Sequence, residues 1–280
     1  MAVVTNPDRP AGRGMGVRAS PVKDAALAAG LDVLQPARAR EPGLRERIEE
    51  ILPDVAVVVA YGSILPADLL VVPRLGFVNL HFSLLPEYRG AAPVQRAVMN
   101  GVEETGVSVM VLTEGMDEGP VLARRSVAIY PAETAGALGK RLADLGAPLL
   151  AETLTSYAAG ALAPEEQDHA RATYAPKISP EEARIDWSRS ASSVVDHVRG
   201  LNPAPGAWTE WEGKRLKVWE AREVEGESLA PGVLEGGPSL LVGTGTSAVE
   251  LVDVQLAGKR RMAGTELARG LRLDAGGRLT

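Results

Sequence analysis

Through the first 160 or so residues, short runs of Val, Ile, Leu and Ala alternate with stretches whose apolar positions recur every three to four residues. The first kind of run predicts strands and the second amphipathic helices. A strand is expected over 2–5. The stretch NPDRPAGRGMGVRASP follows, with three Pro and three Gly, and predicts a loop that is neither helix nor strand interior. Ser20 then stands at an N-cap with Pro21 at the first helical position, predicting a helix to about residue 29 that Gly30 ends. LDVLQP predicts a short strand, and 44–52 a helix. The run DVAVVVA at 54–60 is β-branched and unbroken, which predicts a strand buried on both faces of a parallel sheet. A brief helical or extended piece at 69–72 leads to a strand at 76–81. A helix from Pro93 to Met99 closes at Asn100-Gly101, strands are expected at 105–112 and 121–129, and a long helix at 133–159. Strands alternating with helices imply an α/β fold, a mainly parallel, Rossmann-like sheet with helices on both faces.

The period changes after Gly160. The stretch from 161 to about 187 is polar and irregular, a linker with strapped-down segments. One short helix is expected at 190–201. The chain then alternates with period two in AWTEW, RLKVWEA, GVLEG, SLLVGT and AVELVDVQL, separated by Gly turns, which predicts a smaller C-terminal β-barrel or sandwich. The expected division is a domain at 1–160, a linker at 161–175 and a β domain at 176–280.

Composition narrows the chemistry. With 45% hydrophobic residues the chain can build a core, and with 4% aromatics that core is aliphatic. The absence of Cys excludes disulfides, thiolate ligands and a Cys nucleophile, and three His argue against a multi-His metal site, so no metal is expected. No apolar run reaches the roughly 18 residues of a membrane span, and the N-terminus has no signal-peptide pattern, so a cytoplasmic protein without membrane contact is expected. The net charge of −6 argues against a general nucleic-acid binder. Basic residues nevertheless cluster late in the chain, as GKRLK at 213–217 and GKRRM at 258–262. Solvated hairpin tips are as good a reading of these clusters as a binding surface, on charge alone.

The segment NLHFSLLPEYRGAAPVQRAV, 79–98, carries the chemistry. Asn79 and His81 are two apart near the carboxyl end of a predicted strand, so they share a face where open α/β sheets place their ligand crevices. Asp117 lies in a second Gly-rich turn, TEGMDEGP. An imidazole can carry a proton near neutral pH, a carboxamide can donate to a developing oxyanion, and a carboxylate can orient the imidazole. Taken singly, a His at a strand end and an Asp in a Gly turn are more often structural; their convergence points to an enzyme of acyl transfer.

These residues, with ETGVSVMVLTEGMDEGPVLAR after them, resemble the formyltransferase family that uses 10-formyltetrahydrofolate. The loop TNPDRPAGRG with SPVK, the run VVVAYGSILP, and the later YAPKISPEEARIDW, LNPAPGAW, LKVWEA and AGKRRM resemble the branch acting on initiator methionyl-tRNA. The likeness covers nearly the whole chain. It implies that Asn79, His81 and Asp117 are catalytic, and that Ser83, Leu84, Leu85 and Pro86 contact the folate co-substrate. It implies that Arg13 approaches the tRNA acceptor end, and that Lys214, Arg215, Lys217, Lys259, Arg260 and Arg261 touch tRNA phosphates. The C-terminal domain would then be an OB-like barrel, and a monomer is expected. Two other functions are kept beside this one: formylation of a small amine such as a nucleotide sugar, and a non-catalytic tRNA-binding remnant.

Measured against the resemblance, the chain begins at what would be the second strand, and a βα unit of roughly 30 residues is expected upstream. The favoured expectation is a start assigned too far downstream, with a genuinely shortened protein as the alternative. A poorly soluble or unstable 280-residue form, rescued by upstream coding sequence, is the expected outcome. Full activity and cooperative unfolding of the chain as given would contradict it.

Overall fold

The computed structural model describes residues 1–11, 16–271 and 277–280. The N-terminal apolar run forms β1 (Ala2–Val4). The Pro/Gly-rich loop after it is less irregular than its composition suggests. It holds a two-stranded antiparallel ribbon, β2 (Arg9–Ala11) on β3 (Gly16–Arg18). A ribbon of two strands is all edge, so Pro10 interrupts no continuing ladder. Helix α1 (Pro21–Ala28) starts as the sequence requires, the Ser20 side chain accepting from the Lys23 N–H with Pro21 in the first turn. Strand β4 (Asp32–Leu34) returns parallel to β1. Helix α2 (Leu44–Ile51), β5 (Ala56–Val58), α3 (Ala67–Leu70) and β6 (Phe77–His81) follow. Then come α4 (Pro93–Met99), β7 (Glu104–Val111), β8 (Val121–Ala128) and the long α5 (Ala135–Ala158).

The four strands β5-β6-β7-β8 form one sheet in that order. β5 and β6 are parallel, and β6 and β7 antiparallel. The sheet is thus mixed, not mainly parallel as expected, because β6 and β7 are joined without a crossover that would return the chain to the same end. A second expectation also fails. Of the run 54–60 only three residues are strand, and Val57 and Val59 are 45% and 44% exposed. The cause is position: among the described residues β5 pairs with β6 alone, so it lies at the sheet's edge.

The chain divides into two compact units interleaved in sequence: 1–81, 107–124 and 146–172 in one, 82–106, 125–145 and 173–280 in the other. In the first unit Leu44, Ile48, Leu69 and Phe77 pack together, with Val4, Leu34, Ala56 and Val58 against them. In the second, α6 (Ala191–Gly200) leads into β9 (Ala207–Trp211), β10 (Lys214–Val224), β11 (Leu234–Glu235), β12 (Leu241–Gly243), β13 (Ala248–Leu256), β14 (Met262–Ala263) and α7 (Gly264–Leu271). Helix α7 has no counterpart among the expected elements; it is a single short amphipathic piece starting at a glycine. The ladder runs β11-β12-β13-β10-β9 with β14 on β13, and does not itself close. The last residues bridge its two ends: Thr280 and Glu210 of β9 exchange both backbone hydrogen bonds, while Leu279 donates to Gly232 and Leu234 donates to Gly277. The core of this unit is aliphatic, with Trp187 and Trp211 buried among Val, Leu and Ile.

His197 of α6 is 6% exposed and its Nε2 has no hydrogen-bond partner among the described residues. Burial holds its pKa below the ordinary value; Arg189 adds to that, while the Ala183 carbonyl, Glu182 and Asp186 oppose it. The unfolded chain takes up a proton near pH 6.5 that the folded unit resists. The stability this neutral imidazole contributes is therefore full above that pH and shrinks as pH falls toward the folded pKa. The expected outcome is a Tm that declines less steeply from neutral to mildly acidic pH in His197→Gln than in the parent. Parallel pH curves would contradict it.

Candidate active site

Strand β6 lies between β5 and β7 in its sheet. Val78 and Leu80 are buried on one of its faces, at 0% and 6% exposure, while Asn79 and His81 share the other. The ladder to β7 fixes both, with Asn79 opposite Met110 and His81 opposite Ser108. His81 is 6% exposed, and its Nδ1 lies 3.7 Å from Oδ2 of Asp117. That is ion-pair range, beyond a hydrogen bond; carboxylate–imidazole contacts of this kind often tighten only when substrate is bound. The structure thus brings His81 and Asp117 together, with Asn79 two residues upstream on the same strand face.

Asp117 reaches the imidazole through an unusual turn. Its φ is +52°, in the left-handed region that non-glycine residues rarely occupy. Gly119, two residues on, lies so close to β7 that a Cβ there would stand 2.0 Å from the Val111 carbonyl oxygen. The Val111 N–H donates to the Pro120 carbonyl, closing the turn. Strain of this sort persists where the surroundings over-determine it, and it concentrates at functional sites. The surroundings here include Gln167, 4% exposed, whose Nε2 donates to the carbonyls of Asp117 (2.9 Å) and Gly119 (2.6 Å). Sequence reasoning did not single out Gln167, since nothing in an irregular polar stretch marks one amide among several side chains.

In the second unit, residues 83–86 form a tight turn. The Ser83 hydroxyl donates to the Glu87 carbonyl at 2.6 Å, the Glu87 N–H donates to the Leu84 carbonyl, and Leu85–Pro86 is cis. Ser83 and Leu85 are buried, at 0% and 2% exposure, and Leu84 is half-buried. A Cβ at Gly106 would lie 2.5 Å from Leu84 Cδ2, so this glycine makes room for the leucine. The strap at 173–175 laces the next loop: Thr173 accepts from Arg89, and Ala175 both donates to Arg89 and accepts from Ala92.

The two basic clusters, 40-odd residues apart in sequence, meet in the second unit. Lys217 lies over the Trp219 ring at 5.0 Å and Arg261 over the same indole at 5.3 Å. Arg215 lies over Trp208 at 4.0 Å, joined there by Arg184 at 5.5 Å. Trp219 is the extra residue of a β-bulge between β10 and β13, a device that re-aims a side chain. Lys214, Arg215, Lys259, Arg260 and Arg261 are exposed. Two of these charges are met by carboxylates, Arg260 by Glu266 and Arg261 by Asp253. Trp208, Trp219 and Arg184 had no place in the sequence reading; their signal would have been Trp alternating with Arg and Lys along AWTEW and KRLKVWE. Arg13 lies outside the described residues.

A β6 histidine beside a turn carboxylate, with an asparagine on the same strand face, can carry a proton and donate to an oxyanion, and the comparisons identify the chain's kin. The chain belongs to the formyl transferase family: the formyl transferase domain matches residues 1–154 and the formyl transferase C-terminal domain matches 177–272. It is 50% identical over 280 residues to the methionyl-tRNA formyltransferase of Streptomyces coelicolor, covering 99% of this chain and 90% of the relative. Its fold is similar to HypX from Aquifex aeolicus, solved in complex with tetrahydrofolic acid, at a TM-score of 0.66 and 18% identity, over 90% of this chain and 44% of that one. It is likewise similar to WlaRD, a sugar 3N-formyl transferase solved in the presence of dTDP and 5-N-formyl-THF, at a TM-score of 0.66 and 14% identity, over 92% of this chain and 88% of that one.

Because the close neighbour of Gly119 is backbone, which cannot swing aside, Gly119→Ala is expected to destabilise the protein by about 1–3 kcal/mol, read by chemical denaturation. An unchanged midpoint would show that β7 and the turn do not approach so closely.

Proposed function

We propose that this chain transfers the formyl group of 10-formyltetrahydrofolate to the α-amino group of initiator methionyl-tRNA. The observation that carries the reading is the 50% identity to a methionyl-tRNA formyltransferase over 99% of the chain, through the sheet that bears His81 and the β unit alike. The neutral amine attacks the formyl carbon, a C–N bond forms, and the bond to N10 of the folate breaks as the amine's proton passes to that nitrogen. In this reading Asn79 and a protonated His81 donate to the oxyanion of the tetrahedral intermediate. Asp117 sustains the imidazolium and assists the proton's passage. Residues 83–86 contact the folate through backbone and Leu84, because the Ser83 hydroxyl already serves the Glu87 carbonyl.

The C-terminal sheet is read as an OB-like barrel whose edges the tail residues 277–280 bridge. Its basic residues, gathered on Trp208 and Trp219, are read as the surface for tRNA phosphates, with Arg184 added to Lys214, Arg215, Lys217, Lys259, Arg260 and Arg261. The proposed division is a catalytic domain at 1–160, a linker at 161–175 and a tRNA-binding domain at 176–280. No helix among the described residues is long and apolar enough to cross a membrane; a monomer in the bacterial cytoplasm, where translation initiates, completes the proposal. The cations gathered on Trp208 and Trp219 favour a polyanionic tRNA acceptor over a nucleotide sugar.

The test offers labelled 10-formyltetrahydrofolate with initiator methionyl-tRNA, uncharged tRNA or a nucleotide amino sugar. Label is expected on methionyl-tRNA alone; label on the amino sugar alone would establish the small-amine reading, and tRNA binding without transfer the remnant. In the same assay Arg215→Ala with Lys217→Ala should raise KM for tRNA and leave kcat and the folate KM unchanged. The salt dependence of that KM should flatten by about one unit of log–log slope for each phosphate that the variant no longer neutralises.

A further inference from the structure

Gln167 lies 50 residues beyond Asp117, after α5, yet its amide spans the Asp117 turn. Its two N–H bonds end on two carbonyls of that turn, Asp117 and Gly119, and so fix the Asp117–Glu118 and Gly119–Pro120 peptide planes. We propose that Gln167 is a positioning residue for the reaction: it holds the Asp117 turn in the one conformation that sets the carboxylate beside His81. The proposal rests on the reading of Asp117 as the catalytic carboxylate.

Three observations carry it. The first is chemical. Two converging carbonyl oxygens repel one another and need donors; Gln supplies two from one nitrogen, whereas Glu, Leu or Met of similar length supplies none at neutral pH. The second is the anchoring of Gln167 itself. Two residues earlier, Glu165 exchanges both backbone hydrogen bonds with Val121, at 2.7 and 2.8 Å, and its carboxylate meets Arg124 at 3.1 Å. This bridge registers the strap on the first residue of β8, immediately after the turn, so the amide arrives from a fixed base. The third is the turn's conformation. Asp117 sits at φ +52°, a conformation that a non-glycine residue keeps where its surroundings hold it. A carboxylate 3.7 Å from its imidazole has little tolerance for a change in it. A displacement of the order of 1 Å at a catalytic group can cost about 10²-fold in rate.

The test uses the full chain with 10-formyltetrahydrofolate and methionyl-tRNA, and the variants Gln167→Glu and Gln167→Leu. Each should lower kcat by about 10²-fold with KM for both substrates unchanged. In Gln167→Glu the ratio of variant to parent kcat should rise as pH falls, because a protonated carboxyl regains one donor; Gln167→Leu should show no such recovery. Combined with Asp117→Asn, either substitution should cost little beyond Asp117→Asn alone, since both act through one group. Full kcat in both Gln167 variants alongside an impaired Asp117→Asn would overturn the proposal while sparing the Asp117 reading. Full kcat in Asp117→Asn would overturn both. Losses that multiply in the double variants, or that match an equal loss of folded protein in a thermal melt, would reduce Gln167 to an independent or merely structural part and overturn the proposal.

Discussion

The carboxylate of Asp117 faces the imidazole of His81 from a loop that carries a left-handed residue, a glycine against β7 and a buried amide bonded to two of its carbonyls. The loop's own residues permit that conformation, Asp tolerating positive φ better than most and Gly119 clearing β7, but two carbonyls aimed at one point are unfavourable until donors meet them. The β6–β7 ladder supplies the fixed frame, since a one-residue slip would turn Asn79 and His81 into the opposite face. The imidazole is thus presented by a strand paired on both sides, and the carboxylate by a turn bonded to a residue remote in sequence.

The β unit gathers positive charge on an acidic protein. Like charges repel, and a chain of net −6 offers no general attraction to a polyanion. Here each indole face takes cations from two sources: Lys217 and Arg261 on Trp219, Arg215 and Arg184 on Trp208. An aromatic face offsets part of the cost of bringing cations together. Asp253 and Glu266 meet Arg261 and Arg260, which limits repulsion in the unbound protein. The bulge at Trp219 serves this arrangement by turning one side chain out of strict register.

Much of this was legible in the sequence, for local physical reasons. Helices α4 and α6 and strands β9 and β13 fall where Pro, Ser, Gly and the two-residue alternation put them. Asn79 and His81 could be placed on one strand face from spacing alone, and Asp117 could be named as their companion. What escaped was whatever depends on partners far along the chain. The run DVAVVVA reads as fully buried, but burial is decided by neighbours, and β5 has one. The hairpin in the Pro/Gly loop, the helix α7 and the antiparallel turn of β7 against β6 are set by tertiary pairing that composition does not encode. Gln167, Arg184 and the two Trp are functional candidates for the same reason: their meaning lies in what they touch.

The most direct measurement is the single-turnover rate of formyl transfer within the preassembled complex of enzyme, 10-formyltetrahydrofolate and methionyl-tRNA, in the parent, Asn79→Ala and His81→Ala. A chemical step slower by at least about 10²-fold is expected in each variant, with both substrates still bound. A single-turnover rate near the parent's would remove that residue from the chemistry, and near-parent rates in both would contradict the account at its centre.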